Sequence, residues 1–436
     1  MTVRRPVRRN RLALLIVPVL ALAVACTGGS GSDSPAAASG QTLKIGLLTP
    51  LKGPDATAGT EALRGAQLAV DVINGLNPSI PLPLAAEAGL PNLGGAKVTL
   101  LHADTSAGND PQVVAGTAVT TMVSDQGAQA LIGAYDPQVT EYASQRSERY
   151  EIPFINADSP ATFLTDAGRD WFFRVGPSWR TSGQAFFSLL SEHDASPGRI
   201  VVMHANDKAG QDVVTTVKEL AAESSPDLNV TDVGFSEDGS DIGKAVDAVR
   251  AKNPDTLFLY VTPATVQATL QAFAARQYKP KAALSFSLGY LNAAAFAPAA
   301  AAADGLMRSV SWSIEAAERN PAARAVTALY QRRFNSTMTE AAASAFTAVM
   351  TVAQAANNAG STDNQRMRSA LLSLNVPGEQ TIMPWAGIQF DETHQNTLAQ
   401  SLIEQYHNSA YKIVYPNDAA GANSALVYPA PNSVGG

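Results

Sequence analysis

One cysteine in 436 residues excludes an internal disulfide, and with it any disulfide-stapled scaffold. Basic residues are outnumbered: 31 Lys and Arg face 38 Asp and Glu, a net charge of −7. An acidic chain is a poor general phosphate binder, so nucleic acid is not its expected partner. No G-x-x-x-x-G-K-[ST] loop is present, no G-x-G-x-x-G follows the first strand-like run, and no H-E-x-x-H occurs. A G-x-S-x-G elbow at a strand–helix junction is missing as well. The five histidines (His102, His193, His204, His394 and His407) are scattered, and the common zinc spacings fail. These absences point away from the common cofactor and catalytic classes, and neither a metal nor a cofactor is expected. Charge is scarce at 16%, but 46% of residues are hydrophobic, which excludes wholesale disorder. The length suggests two or three globular units.

The longest apolar run is short. Leu12–Val24 holds thirteen residues interrupted by Pro18, less than the roughly 20 a membrane-spanning helix needs. It follows five arginines (Arg4, Arg5, Arg8, Arg9 and Arg11), the pattern of a secretory signal over residues 1–25. Leu22-Ala23-Val24-Ala25-Cys26 resembles a bacterial lipobox, whose cysteine becomes the lipidated first residue. Cleavage there removes five arginines and no acid, taking the net charge from −7 to −12. Residues 26–41 are mostly Gly, Ser, Ala and Pro, and read as a flexible tether.

The body alternates strand-like and helix-like segments. Leu43–Leu48, Lys97–Ala103, Ala130–Gly133 and Ile152–Ala157 read as strands, separated by helices at Thr60–Asn74, Pro111–Ser124 and after Pro137. The series restarts at Arg199–His204 and runs through Val230–Phe235, Thr256–Val261 and Ala282–Ser287. Two such series predict an α/β fold of two doubly wound parallel-sheet lobes. Leu76–Gly95, rich in Pro, Leu and Gly, reads as a surface insertion with some packing of its own, and Ala293–Ala303 as a short helix and turn.

Doubly wound sheets bind ligands beyond the C-terminal ends of their strands. The residues there are Thr49, Pro50, Gly53, Pro54 and Asp55 after the first strand, then Tyr135, Asp136 and Gln138 after the third. Asp158 and Ser159 follow the fourth, and the second series contributes Asn206, Asp207, Thr262, Thr265 and Tyr290. The backbone amides after Asp136 can hold an anionic group. Each residue also has a plain alternative. The aspartates can cap helices and the tyrosines can pack in the core.

The string Lys44-Ile45-Gly46-Leu47-Leu48-Thr49-Pro50-Leu51-Lys52-Gly53-Pro54, followed by Gly65–Asn74, resembles the start of the type I solute-binding proteins, the leucine/isoleucine/valine-binding proteins of ABC importers. Leu131–Tyr135, Ile152–Ala157, Phe173–Ser178 and Phe390–Asn396 with Val414-Tyr415-Pro416 agree in order and spacing. The resemblance implies a clamp of two lobes crossed three times by the chain. The first lobe would hold 42–176 and 313–378, and the second 177–312 and 379–416, with 417–436 as a tail. It also implies ligand contacts near Tyr135, Asp136 and Gln138, near Asp158 and Ser159, and at the first crossing, where Trp179 and Arg180 fall. The family's acid for a ligand ammonium would lie at Leu288–Tyr290, where this chain has none; Asp136, Asp158 or Asp207 can replace it, or the ligand lacks an ammonium. Trp179 and Arg180 at the cleft rim would suit an aromatic or carboxylate-bearing ligand.

The expected protein is therefore an extracytoplasmic solute-binding lipoprotein of an ABC importer, not an enzyme. It would be monomeric and anchored through Cys26, with a small-molecule solute and a membrane permease as partners. A sensor of the same fold and a carboxylate-based extracytoplasmic enzyme are the alternatives. Cys26→Ala is expected to abolish lipid modification and release the protein from membranes. A variant that still carries lipid on fractionation and mass measurement refutes the lipobox.

Overall fold

The computed structural model describes residues 42–106, 110–286, 299–420, 425–431 and 433. The signal, the tether, Cys26 and Tyr290 lie outside them, as does most of Ala293–Ala303, of which only a short helix at its end is described. The first strand, β1 (Thr42–Thr49), buries Leu43, Ile45, Leu47 and Leu48, so both of its faces are covered. That is the signature of an interior strand in a parallel sheet. The chain continues through α1 (Ala56–Asn74), β2 (Lys97–Asp104), α2 (Pro111–Thr120), β3 (Ala130–Gly133), α3 (Pro137–Tyr150), β4 (Phe154–Asn156), α4 (Phe163–Asp166) and β5 (Phe172–Arg174). These strands form a five-stranded parallel sheet in the order β2-β1-β3-β4-β5, with Ile45 paired to Leu100 on one side and Ala130 on the other.

The second series is α5 (Trp179–Glu192), β6 (Ile200–Ala205), α6 (Lys208–Ser224), β7 (Val230–Phe235), α7 (Ile242–Lys252), β8 (Thr256–Tyr260), α8 (Val266–Ala275), β9 (Ala282–Ser285), α9 (Ala300–Ala303) and β10 (Leu306–Val310). The chain then returns through α10 (Ile314–Ala317), α11 (Pro321–Phe334), α12 (Glu340–Ala359) and α13 (Asn364–Leu372). It ends with the short pair β11 (Asn375–Pro377) and β12 (Gly387–Gln389) and the hairpin β13 (Leu402–His407) and β14 (Ala410–Tyr415). The second sheet runs β14-β13-β10-β9-β8-β6-β7. It departs from the all-parallel expectation at one edge, where β13 lies antiparallel to β10. A hairpin supplies its strands without the crossover helix that a parallel pair requires.

α12 is the helix that the first lobe is built around. Fifteen of its 20 residues are buried, and most of these are alanines. Small side chains let it lie close against α1: a Cβ on Gly65 would stand 2.0 Å from the Ala342 carbonyl oxygen. The Leu76–Gly95 segment packs into the same core through Ile80, Leu82, Leu84, Ala85, Leu90 and Leu93, and Asn92 clasps Asn357 near the end of α12. It therefore anchors on the lobe more fully than a surface insertion would.

Three stretches join the lobes. Residues 175–178 link β5 to α5, residues 311–313 link β10 to α10, and the third precedes β13. The first and third are tied together. Arg174 N–H donates to the His394 carbonyl at 2.9 Å, Asn396 N–H to the Arg174 carbonyl at 2.9 Å, and the Asn396 side chain to the Val175 carbonyl at 3.0 Å. Ile382, Met383, Trp385, Ile388 and Phe390 lie in the first-lobe core. We therefore propose the last lobe boundary near residues 397–401, beyond the 378/379 division read from the sequence.

Gly65→Ala is expected to lower stability by about 1–3 kcal/mol or more, because the clash is with backbone and no rotamer relieves it. Gly116→Ala in α2 meets nothing within 4 Å and is expected to be neutral or slightly stabilising. Denaturant titration of both variants checks the pair.

Candidate functional site

The carboxyl ends of β1, β3 and β4 deliver two acids and a tyrosine to one wall. Asp55 stands at the head of α1 with one carboxylate oxygen buried and without a hydrogen-bond partner. Burial, reinforced by Asp136, pushes its pKa up to about 6. Tyr135 is buried at 6% exposure and takes a left-handed backbone with φ 67°. Such a conformation is uncommon outside glycine and its strain persists only where the surroundings fix it. Asp158 follows β4, and no donor or cation among the described residues engages its carboxylate. Burial and then the Glu340 charge push its pKa up to about 7. Ser159 beside it is buried; its N–H donates to Asn156 Oδ1 at 3.2 Å, and its hydroxyl has no partner.

Glu340, the first residue of α12, completes this wall. Its Oε1 accepts from the Ser311 backbone N–H in the second crossing, whereas its Oε2 is buried without a partner. Burial raises the pKa of this carboxyl. Tyr135 registers the result: burial first, then Asp55, Asp158, Glu340 and Asp136, hold its hydroxyl pKa well above the usual value.

Tyr135, Asp158 and Glu340 line a small cavity between the lobes, and Phe286, Ser309 and Ser401 close it from the other side. A second space adjoins it, bounded by Asp55, Tyr135, Glu340, Trp312, Arg308 and Tyr411. The Arg308 guanidinium is engaged there: Nε and a terminal nitrogen donate to Glu404 Oε2 at 2.8 and 2.6 Å, and the group lies 3.6 Å over the Tyr411 ring.

The other residues singled out in the sequence fall in three places. Gln138 and Asp207 face each other across a groove with Glu141 and Lys208, the last two paired at 2.6 Å. Asp136 caps α3, its Oδ1 accepting from the Gln138 and Val139 amides, both at 2.9 Å. Asp207 caps α6 through the Gly210 amide at 2.6 Å. The amides expected to hold an anionic group are thus taken by the chain's own carboxylates. Thr262 is turned to Thr265 at 3.0 Å. Trp179 and Arg180 are not at the cleft rim. Trp179 is 2% exposed, donates to the Phe286 carbonyl at 3.1 Å and packs edge-on against Tyr260. The Ser178 capping box starts α5 there and turns the indole inward. Arg180 pairs with Glu219 and Glu223 of α6. Glu340, Arg308, Glu404 and Tyr411 escaped the sequence reading. Only Glu340 left a local sign: a single acid after Thr339, heading an alanine-rich run.

The raised pKa of Asp158 links folding to pH. The folded chain keeps a proton that the unfolded chain has released, so the stability from this carboxyl is full below about pH 4 and is lost as the pH rises through about 7. Asp55 acts with the same sign, and Glu340 is the charge that faces Asp158. Asp158→Asn is therefore expected to gain on the wild type between pH 5 and pH 8, by at most about 4 kcal/mol. Denaturant midpoints across that range test it; parallel curves for the two proteins contradict it.

The geometry has counterparts among known proteins. The profile of the family described as periplasmic binding protein matches residues 42–405. The Leu/Ile/Val-binding protein homolog 7 of Brucella abortus is 22% identical over 416 residues, covering 92% of this chain and 97% of that relative. A leucine-binding protein from Thermotoga maritima shares the fold with a TM-score of 0.70 at 17% identity, over 85% of this chain and 97% of its own. An ABC-transporter solute-binding protein from R. palustris, solved with benzoate, gives a TM-score of 0.66 at 15% identity, over 89% of this chain and 99% of its own. With most of its length matched by that profile, the chain belongs to the periplasmic binding protein family.

Proposed function

We propose that this protein is the extracytoplasmic receptor of an ABC importer, lipid-anchored at Cys26, which captures a small polar organic solute between two closing lobes and presents it to a membrane permease. The observation that carries this reading is the make-up of the cavity. Its lining comes from the first lobe (Tyr135, Asp158), from the second (Phe286, Ser309) and from all three crossings (Pro177, Ser311, Ser401). A solute seated there touches both lobes and the hinge at once. It therefore binds the closed arrangement better than the open one, which is the condition for a ligand to drive closure. The names of the relatives speak for an amino acid, the R. palustris protein for an aromatic acid. Amino acids, amides and small carboxylates are thus the classes to test.

Each residue of the site has a role in this reading. Tyr135 and Asp158 form the floor, with Ser159 beneath them. Gln138 and Asp207 lie along the outer groove, where the Lys208–Glu141 pair and the contacts of Thr162 with Asp212 (2.7 Å) and Thr216 (3.2 Å) bridge the lobes.

A thermal-shift screen of the purified protein against these classes tests the proposal. A ligand at about 1,000 times its Kd adds roughly 4 kcal/mol, and recovery of the hit unchanged separates capture from turnover. Asp158→Ala and Tyr135→Ala are each expected to weaken binding of the hit at least tenfold while the unliganded protein stays folded. Normal binding by both variants, or chemical conversion of the hit, rejects the proposal.

A further inference from the structure

We infer that the solute carries a cationic nitrogen (an amine, amidine or guanidine) which sits against the first-lobe wall of Asp158, Glu340 and Asp55, and that binding does not require a carboxylate on the solute. The inference rests on the reading of the cleft as the solute site and specifies its chemistry.

Three independent observations carry it. The first is unmet acceptor capacity. Glu340 Oε2 and Asp55 Oδ1 are buried without a donor, and at the half-buried Asp158 the one charge felt among the described residues is that of Glu340. A buried carboxylate oxygen without a partner is costly, and an N–H-bearing cation is the group that satisfies it. The second is the shortage of positive charge. Among the described residues Arg308 is the one basic residue lining the two joined spaces, and it is engaged with Glu404 and the Tyr411 face. Glu340 feels the charge of Arg308, but no cation among the described residues acts on Asp55 or Asp158, whereas Glu61 at the outer edge is paired with Arg64.

The third is the loss of the anion seats. A helix N-terminus that faces a cleft is a ready carboxylate site. Here Asp136 fills the one at α3, Asp207 the one at α6, and the Thr339 hydroxyl caps α12 beside Glu340; the head of α1 has no side-chain cap, but the Asp55 carboxylate stands at it and repels an anion. A carboxylate-only solute would meet acids and find these amides occupied. The ion is an organic one. Among the described residues no group of three or more His, Cys, Asp or Glu side chains is placed to hold a metal ion. Phe286, on the far side of the cavity, offers an aromatic surface to the solute's carbon skeleton.

Glu340 also braces the hinge through Ser311, and the test separates that duty from ligand recognition. Glu340→Gln keeps an oxygen for the Ser311 N–H but puts an amide nitrogen at the unpartnered position. Binding to the purified full-length protein is measured by calorimetry with probes of matched skeleton: 3-methylbutylamine, leucine and 4-methylpentanoate; benzylamine and benzoate; and 4-guanidinobutylamine. At least one probe bearing only a cation is expected to bind, and the carboxylate-only probes are not. Glu340→Gln is expected to weaken the cationic hit at least tenfold without lowering the melting temperature of the unliganded protein. Binding of carboxylate-only probes alone, or of leucine with no binding of its amine, overturns the inference and leaves the solute-receptor reading intact. So does a Glu340→Gln variant that binds the hit normally. Failure of every probe overturns the inference and counts against the cleft reading as well.

Discussion

The approach of Gly65 to the Ala342 carbonyl sets how deeply α12 sinks into the first lobe. Glu340 lies two residues before Ala342, at the mouth of the same helix, so this backbone contact also fixes where a carboxylate enters the cleft. The alanine-rich composition of α12 serves the same end: bulkier side chains would lift the helix away from α1 and withdraw Glu340 from the wall. Packing in the core and chemistry in the site are one constraint seen from its two ends.

The hinge shows a comparable economy. Arg174 is buried, and its guanidinium donates to the Ala161 carbonyl, Thr165 Oγ1 and Gln395 Oε1 while its backbone pairs with residues 394 and 396. Gln395 in turn donates to the Gly176 carbonyl at 3.0 Å. A charged group sealed from water needs its donors satisfied, and meeting that need binds the first crossing to the third. The second crossing is held separately, by Glu340 through the Ser311 N–H and by the Trp312 indole, which donates to the Ile382 carbonyl at 3.0 Å.

The sheets, most helices and the two-lobed plan were legible because hydrophobic runs and helical spacing report burial directly, as in β1 and β6. Tyr135 and Asp158 were legible as strand-end residues. Glu340 was not: its partners Asp158 and Ser311 are set beside it by the fold, and carboxylates carry no spacing motif. Trp179 reads as a rim residue from its place at the first crossing, but its indole is buried and donates to the Phe286 carbonyl at a distant strand end, a contact that no local pattern reveals. Arg180 pairs with Glu219 and Glu223 on a neighbouring helix, which no local pattern reveals. Leu76–Gly95 looked peripheral because proline and glycine mask the regular burial of its leucines.

Asp136 and Asp207 do more than start their helices. By covering the positive poles of α3 and α6, they leave the carboxylates to set the potential of the cleft. At physiological ionic strength that potential extends roughly 8 Å beyond the surface. On the proposal of a cationic solute, anions are slowed before they touch the protein and cations are drawn in, so part of the discrimination would be made during diffusion, in the association rate, and would weaken as salt is added.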